Sequence, residues 1–299
     1  MNITHRQLRL FLALVDTGSV SAAAQQMCVT QPTASMQLKE ISEAVGLPVY
    51  EVIGKKVHLT EAGKALARTG RAIENEWDSF RQAIHAMQGL TKGRLRVAVV
   101  STAKYFVPRL LGSFCSKHPQ IDIALEVLNR DAVVQRLRDN MDDLYIMSRP
   151  PEDVDLSDEV FLPNPLVLVA ANAAARKLIK QHGAVMDLND LQDQRFILRE
   201  SGSGTRLASD VHFQAHQFQP GMQLVLGSNE AIREAVAGGL GVAVLSMHAL
   251  AGHRDVTPLP VRGFPIDAQW HVVHPKGKQL SPIASVFKAH LLSQAGKLR

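Results

Sequence analysis

Apolar residues recur at helical spacing through the first 45 residues of the chain. Residues 5–17 are so rich in leucine that their helix needs a protein surface to pack on, and Gly18 marks its end. Ser21 is a candidate cap for a short second helix, and Thr30 and Pro32 begin a third. This pattern predicts a helix-turn-helix, although an ordinary helical hairpin has the same spacing.

Short polar residues fill the outward, N-terminal half of the third helix. In a helix-turn-helix protein, this part of the second motif helix reaches base edges in the major groove. A predicted hairpin at 49–59 turns at Gly54, and its lysines would lie at the tip of a wing. The predicted DNA contacts are Ser21, Gln31, Pro32, Thr33, Ser35, Met36, Lys39, Lys55 and Lys56.

A long stretch without proline, from its candidate cap Thr60 to Gly89, predicts a single helix. Apolar residues recur in it at the spacing of a coiled-coil seam, so we expect it to dimerise. The alternative is a helix that packs only on its own domain. Gly63 and Gly70 occupy other seam positions and predict thin packing at the N-terminal end. The predicted dimer contacts are Leu66, Ile73, Trp77, Phe80, Ile84 and Met87.

Strand and helix patterns alternate through the rest of the chain, which predicts two α/β lobes. The elements predicted for the first lobe are strands at 94–100, 121–127, 143–147 and 160–162 and helices at 105–117 and 132–140. Those predicted for the second are strands at 166–170, 196–199, 223–226 and 242–245, a helix after Gly204 and a helix at 230–237. Pro-Asn-Pro at 163–165 predicts one crossing between the lobes. A strand at 268–273, followed by a helix at 282–293, predicts the return.

The composition is that of a globular protein, with 299 residues, 46% hydrophobic and 20% charged. No apolar run is long enough to span a membrane and no secretory signal is evident, so we expect a cytoplasmic protein without membrane contact. Two distant cysteines suit a reducing compartment. The net charge is +5, but residues 1–60 hold five Lys or Arg against four acidic residues. The prediction of DNA binding therefore depends on the helices and the wing more than on charge.

Polar residues follow several of the predicted strands, where open α/β lobes collect their ligands. Helix N-termini at these places present N–H groups to anions, and Gly202 and Gly204 allow close approach of the backbone. The alternative for any one serine is that it only caps a helix. Together these residues predict a cleft for a small anion. The predicted contacts are Ser101, Thr102, Lys104, Asn129, Arg130, Ser148, Arg149, Ser201, Ser203, Gly204, Thr205, Ser228 and Asn229.

The sequence patterns of common catalytic and metal sites are missing. The 12 histidines show no HExxH spacing, and His271 and His274 would face opposite sides of a strand. Residues 201–206, SGSGTR, lack the end of a Walker motif, and there is no GxSxG elbow. We therefore expect no enzymatic activity, no metal and no cofactor.

Two long stretches resemble the LysR-type transcriptional regulators. The first is LRLFLALVDTGSVSAAAQQMCVTQPTASMQLKEISEAVGLPVYE followed by GKKVHLTEAG, which resembles their winged helix-turn-helix over roughly 65 residues. The second, SNEAIREAVAGGLGVAVLS at 228–246, resembles their effector-domain signature. One departure is Val52, where the family usually has arginine, and Lys55 and Lys56 are candidates to replace that contact.

Within the family, four segments look most like the regulators of Calvin-cycle carbon fixation genes. They are VSTAKYFVPRLLGSFCSKHP, NRDAVVQRLRDNMDDLYIMSRPPED, NPLVLVA and LRESGSGTR. The resemblance implies a metabolite effector, either a phosphorylated sugar or acid or a reduced nicotinamide nucleotide. It also implies operator DNA and RNA polymerase as partners, and a homodimer that pairs into a homotetramer.

The expected fold is α/β, with a mainly helical winged helix-turn-helix at the N-terminus and two lobes like those of a periplasmic solute-binding protein. The expected domains are 1–60 for DNA binding, 61–90 for the linker helix and 91–299 for the effector. Lobe I takes 91–162 and 268–299, and lobe II takes 163–267. Two alternatives stay open: a regulator of this family that senses an inorganic anion or an organic or amino acid for another pathway, and a cytoplasmic solute-binding clamshell.

Overall fold

The computed structural model describes residues 2–54, 56–87 and 93–294, and for residues 85–87 it describes the backbone alone. The predicted contacts of Lys55 and of the Met87 side chain lie outside these residues. The chain forms two compact units, the first comprising Met1–Ile84 with Arg138–Met141 and the second comprising the remainder. No helix of the described residues is both long and apolar enough to cross a membrane.

The first unit is a helical domain with a two-stranded hairpin. Its elements are α1 (His5–Thr17), α2 (Val20–Gln26), α3 (Gln31–Val45), β1 (Tyr50–Ile53), β2 (Lys56–Leu59) and α4 (Glu61–Met87). Phe11 and Leu14 of α1 and Leu38 of α3 are fully buried in one core, as the apolar spacing predicts. The hairpin pairs Tyr50 with Leu59 and turns at Gly54, where φ is 55° and a side chain would be strained.

The caps of the helix-turn-helix agree with the sequence at α3 but not at α2. The Thr30 hydroxyl accepts the N–H of Thr33 at 3.4 Å and so caps α3 as predicted. The prediction of Ser21 as the cap of α2 is wrong, because Ser19 accepts the N–H of Ala22 at 3.5 Å. Gly18 ends α1 in a left-handed backbone conformation. Ser19 is extended, so α2 begins at the next residue.

The N-terminal part of α4 packs closely on its own unit. A Cβ at Gly63 would lie 1.8 Å from the carbonyl oxygen of Val49, and one at Gly70 would lie 2.9 Å from Leu8. Within the unit these glycines are therefore places of close approach, and the thin packing predicted for the seam with a partner helix stays a prediction. Leu66 also packs against the core of this unit.

The second unit contains two α/β lobes. Its elements are β3 (Gly93–Val100), α5 (Val107–Cys115), β4 (Ile121–Leu128), α6 (Arg130–Arg138), β5 (Leu144–Met147), β6 (Leu156–Pro163), β7 (Leu166–Ala171), α7 (Asn172–His182), β8 (Arg195–Arg199), α8 (Gly204–Ala215), β9 (Met222–Leu226), α9 (Asn229–Ala237), β10 (Val242–Ser246), β11 (Val256–Pro258), β12 (Gln269–Pro275) and α10 (Pro282–Gln294). The helix predicted at 105–117 is divided: a 3-10 turn covers Ser101–Tyr105, and α5 begins only at Val107, with Pro108 in its first turn. No element was predicted where α7 lies.

Both lobes have the same sheet topology. The strand orders are β4-β3-β5-β12-β6 and β11-β7-β10-β8-β9. In each sheet three neighbouring strands are parallel, and two more pair antiparallel beside them. The chain crosses between the lobes after β6 and returns before β12, as predicted. The crossings are bonded to each other, since the N–H of Asn164 donates to the carbonyl of Ala268 at 2.7 Å.

Candidate ligand cleft and DNA-contacting surface

The outward face of α3 presents most of the residues predicted to contact DNA. Ala34, Leu38 and Ile41 turn into the core, which fixes the opposite face toward solvent. Thr33 is half-buried and its hydroxyl lies 2.8 Å from that of Thr30, so it belongs to the helix cap. The exposed predicted residues are Ser21, Gln31, Pro32, Ser35, Met36, Lys39 and Lys56.

The middle of α4 carries exposed apolar residues, although Trp77 also contacts the His5 ring of α1 at 5.9 Å. Ile73, Trp77 and Phe80 are about half exposed, at 46%, 50% and 54%. The rings of Trp77 and Phe80 lie 5.7 Å apart and form one apolar surface. Ile84 is half-buried. This surface is where the heptad pattern predicts the partner helix.

A polar cleft lies where strand ends of the two lobes meet. Lobe I contributes residues that follow β3, β4 and β5, and lobe II contributes the start of α8. Seven of the predicted effector contacts line the cleft together: Ser101, Thr102, Arg130, Ser148, Ser203, Gly204 and Thr205. Val100, Asn164 and Trp270 complete the lining. The structure thus brings together predicted contacts that run from Ser101 to Thr205 in the sequence, as the topology predicts.

The N-terminus of α8 faces lobe I across this cleft. The Ser203 hydroxyl caps the helix by accepting the N–H of Arg206 at 3.5 Å. A Cβ at Gly204 would lie 3.6 Å from the Ser148 hydroxyl and 3.7 Å from Cδ of Arg130, so the backbone is closely approached by lobe I. A helix N-terminus beside an arginine suits an anion, because its N–H groups and the helix dipole both favour negative charge.

Arg130 is a cation of lobe I that lies close to this helix end. Its Nε donates to the carbonyl oxygen of Arg149 at 2.8 Å, which fixes the direction of the guanidinium. The side chain is only 17% exposed, and Asp131 lies 3.7 Å from its Nη1. Arg149 is also a predicted ligand contact, but its hydrogen bond with Arg130 involves only its backbone oxygen. Arg130 also lines a neighbouring open groove with Ser201 and Arg206.

Arg199, which sequence reasoning missed, joins the two lobes through Ser101, a residue that lines the cleft. Its Nη1 donates to Oδ1 of Asn229 at 2.6 Å, and its Nη2 donates to the Ser101 hydroxyl at 3.3 Å. Nε and Nη2 also donate to the Glu200 carboxylate at 2.7 and 2.8 Å. Asn229 in turn donates to the Thr102 hydroxyl at 3.0 Å. A buried charge needs such partners, and here they come from both lobes.

Lys104 makes a second link between the lobes. Its ammonium lies 2.9 Å from the carboxylate of Glu230, and the Tyr105 hydroxyl donates to the same carboxylate at 2.7 Å. Burial raises the pKa of Glu230, but the bonds from Lys104, Tyr105 and the backbone outweigh it and lower that pKa to about 2. Burial, followed by the bond to Glu230, raises the pKa of Tyr105. Lys104, a predicted effector contact, is therefore engaged by Glu230 instead.

Two further predicted contacts are helix caps. Asn129 accepts the N–H of Ala132 at 3.0 Å, and Ser228 accepts the N–H of Ala231 at 3.0 Å. The capping alternative thus accounts for the bonds of both.

Gly202 adopts φ of 85°, and its carbonyl accepts the N–H of Asp131 at 3.2 Å, which adds a backbone link between the lobes.

No group of three or more His, Cys, Asp or Glu side chains in the described residues could hold a metal ion. Nδ1 of His271 lies 2.6 Å from Oδ1 of Asp158, whereas Nε2 of His274 lies 3.4 Å from Nζ of Lys288. The two histidines take different partners, as expected for residues on opposite faces of a strand.

A helix-turn-helix with a hairpin wing, in one chain with two α/β lobes around a polar cleft, defines a ligand-responsive DNA-binding regulator. The chain belongs to the LysR family of bacterial transcriptional regulators. Residues 5–64 match the bacterial regulatory helix-turn-helix protein, lysR family, and residues 88–296 match the LysR substrate binding domain. It is thus a DNA-binding transcriptional regulator with an effector-binding domain, as the resemblance implied.

Three known proteins illustrate what this chain is similar to. The HTH-type transcriptional activator CmpR of Synechocystis is 41% identical over 98% of this chain and 96% of its own length. A RuBisCO operon transcriptional regulator of Acidithiobacillus ferrooxidans is 42% identical, with 98% of this chain and 96% of the relative covered. The regulatory domain of Synechocystis CcmR, solved in complex with 2-PG, is 44% identical with a TM-score of 0.63. That match covers 68% of this chain and 98% of the solved one. These relatives are transcriptional regulators.

Proposed function

We propose that this regulator controls genes of carbon fixation in response to a small phosphorylated acid. The observation that carries the proposal is the convergence of Arg130 and the N-terminus of α8 on one cleft. A phosphate group suits this position, since it takes several N–H donors and a guanidinium at once. Support comes from the CcmR domain, which shares this fold and was solved with 2-PG, 2-phosphoglycolate.

The proposed mechanism couples the cleft to DNA binding. Arg199, Lys104 and the backbone of Gly202 already link the lobes across the cleft. An effector that binds the closed arrangement more tightly would shift the protein toward it, and operator binding would change by the same coupling free energy. The α4 surface would pair two chains, and two such dimers would form a homotetramer. RNA polymerase is the proposed partner at the promoter.

The cleft side chains support a binding role rather than catalysis. The Ser203 hydroxyl caps a helix, and the Thr102 hydroxyl accepts a bond from Asn229, so neither hydroxyl is held by a general base. We infer a non-enzymatic protein that acts in the cytoplasm, where its DNA and metabolite are found. The match of residues 5–64 to the LysR helix-turn-helix counts against a solute-binding clamshell.

A footprint of the full chain on the DNA upstream of the RuBisCO genes of its host tests the proposal. With 2-phosphoglycolate present, we expect the protected region or its bend to change, and with glycolate we expect no change. A footprint that is specific but insensitive to every phosphorylated acid tried would reassign the effector. A chain without preference for this DNA would contradict the carbon-fixation role.

A further inference from the structure

Trp270 carries a buried donor that has no acceptor in the described part of the chain. The side chain is fully buried, yet the N–H of its indole makes no hydrogen bond there. A buried polar group left without a partner costs about 1–3 kcal/mol, so tryptophan is an expensive choice at this position unless the N–H is used. Phenylalanine would fill a similar space without that cost.

The Trp270 side chain belongs to the lining of the ligand cleft. Trp270 lines the cleft together with Thr102, Arg130 and Ser203. Its neighbours in the core are aromatic: the ring of Phe106 lies 5.1 Å away and that of His248 lies 6.1 Å away. The ring nitrogen Nε2 of His248 is bonded to the carbonyl of Pro163 at 3.0 Å.

The backbone at this point also departs from a regular sheet. The pairing of β12 with β6 shifts register between Trp270 and His271. Such a bulge turns a side chain away from the direction that a regular strand would give it, and bulges are common beside binding sites. The irregularity falls at the residue whose donor lacks a partner.

We propose that the indole N–H of Trp270 donates to the carboxylate of an effector whose phosphate lies at Arg130 and the α8 N-terminus. This inference rests on the proposed function and adds a specificity determinant to it. The ligand class is then a short acid with a phosphate at one end and a carboxylate at the other. A phosphate carries nearly two charges and needs the guanidinium and the helix end. A single neutral donor in an apolar wall suits the singly charged carboxylate.

The test is a cycle of two proteins and two ligands, measured by calorimetry on the full chain. Trp270→Phe removes the N–H and retains an aromatic ring, and ethyl phosphate lacks the carboxylate of 2-phosphoglycolate. We expect Trp270→Phe to weaken 2-phosphoglycolate binding by about ten- to a hundred-fold, as for a lost hydrogen bond to a charged group, and to leave ethyl phosphate binding unchanged. Ethyl phosphate is the internal control, because a general loss of folding would weaken the binding of both ligands equally.

A second measurement holds even if Trp270→Phe does not fold. The chain has 2 tryptophans, so Trp77→Phe leaves Trp270 as the sole indole. We expect its fluorescence to change with 2-phosphoglycolate and not with ethyl phosphate.

Equal losses for both ligands, no loss for either, or the same fluorescence change with both would overturn the role of Trp270 while the proposed effector stands. A wild-type chain that binds neither ligand would overturn the effector class, and this inference with it.

Discussion

Arg199 is the centre of a buried network whose contribution to stability can be measured. Its guanidinium is buried and holds Glu200, Asn229 and Ser101. We expect Arg199→Met to lower the unfolding free energy of the effector lobes by about 3 kcal/mol, because it strips a buried network of its only described cation. Urea unfolding would measure the loss. Arg262→Gln, at an exposed pair with Asp187, should cost about 0.5 kcal/mol, and equal effects of the two would contradict the network.

His212 makes stability depend on pH. Burial, and then the neighbouring His216, lower the pKa of His212 below its usual 6.5. The unfolded chain therefore binds a proton more readily, and the unfolding free energy must fall as pH drops below about 6.5. His212→Asn should reduce the fall in thermal midpoint between pH 7 and pH 5. Part of the pH dependence should remain in this variant, because burial also lowers the pKa of His274.

The control for this prediction is His253→Asn, at an exposed position of the same lobe. It should retain the pH dependence of the wild type. An unchanged dependence in His212→Asn would show that His212 is not the source.

At the scale of single residues, the sequence predicts hydrogen bonds between close neighbours. It does not predict those between residues that lie far apart in the chain. Thr30 was predicted as a cap because a cap bonds within three residues. Arg199 ends an apolar strand, but its partner Asn229 lies 30 residues further along, and no local pattern records that. Trp270 reads as one more apolar residue of a strand.

Most helices and strands lie where the apolar periodicity predicts them. The prediction errors occur where a turn, a small buried face or a close contact decides the structure instead. The helix after β3 starts late because the chain first forms a 3-10 turn at the cleft. Helix α7 buries mainly Ala175 and Leu178, a face too small to give a clear pattern. The glycines of α4 were assigned to a partner's surface, whereas the structure shows that they admit Val49 and Leu8.

Gly63 tests the close packing of α4. Gly63→Ala places a methyl group against the Val49 carbonyl and should destabilise the helical domain by about 3 kcal/mol, since a backbone atom cannot move aside cheaply. Gly112→Ala in α5 is the matched control, because nothing lies within 4 Å of its Cβ position. It should be neutral or stabilise by up to about 1 kcal/mol through helix propensity. Calorimetric scans would compare the two, and a tolerated Gly63→Ala would refute the contact.

The reading role of α3 is tested at Lys39. Its only described partner is Glu43, at 3.7 Å on the exposed face, so Lys39→Ala should leave stability unchanged. We expect operator affinity to fall by about 1–3 kcal/mol, as for a lost base contact. Fluorescence anisotropy with the operator would measure it, with Lys64→Ala on α4 as the control. Loss of effector binding as well would instead indicate misfolding.

For the whole molecule, the alternation of strands and helices predicted two lobes and their crossings, because βαβ units leave few topologies. The cleft then followed from the rule that ligands sit at strand ends. Domain boundaries at residues 60, 90, 162 and 267 remain proposals. The identity of the effector could not follow from the pattern, because hydroxyls at helix ends serve many anions as well as caps.

The most direct test of the account is thermal unfolding of the full chain with 2-phosphoglycolate, glycolate and sulfate. At a hundred times its dissociation constant, 2-phosphoglycolate should stabilise the effector lobes by about 2.7 kcal/mol, and Arg130→Gln should abolish most of that gain. Glycolate should have no comparable effect. An equal response to glycolate or sulfate, or a response to 2-phosphoglycolate that survives in Arg130→Gln, would contradict a cleft built to recognise a phosphorylated acid.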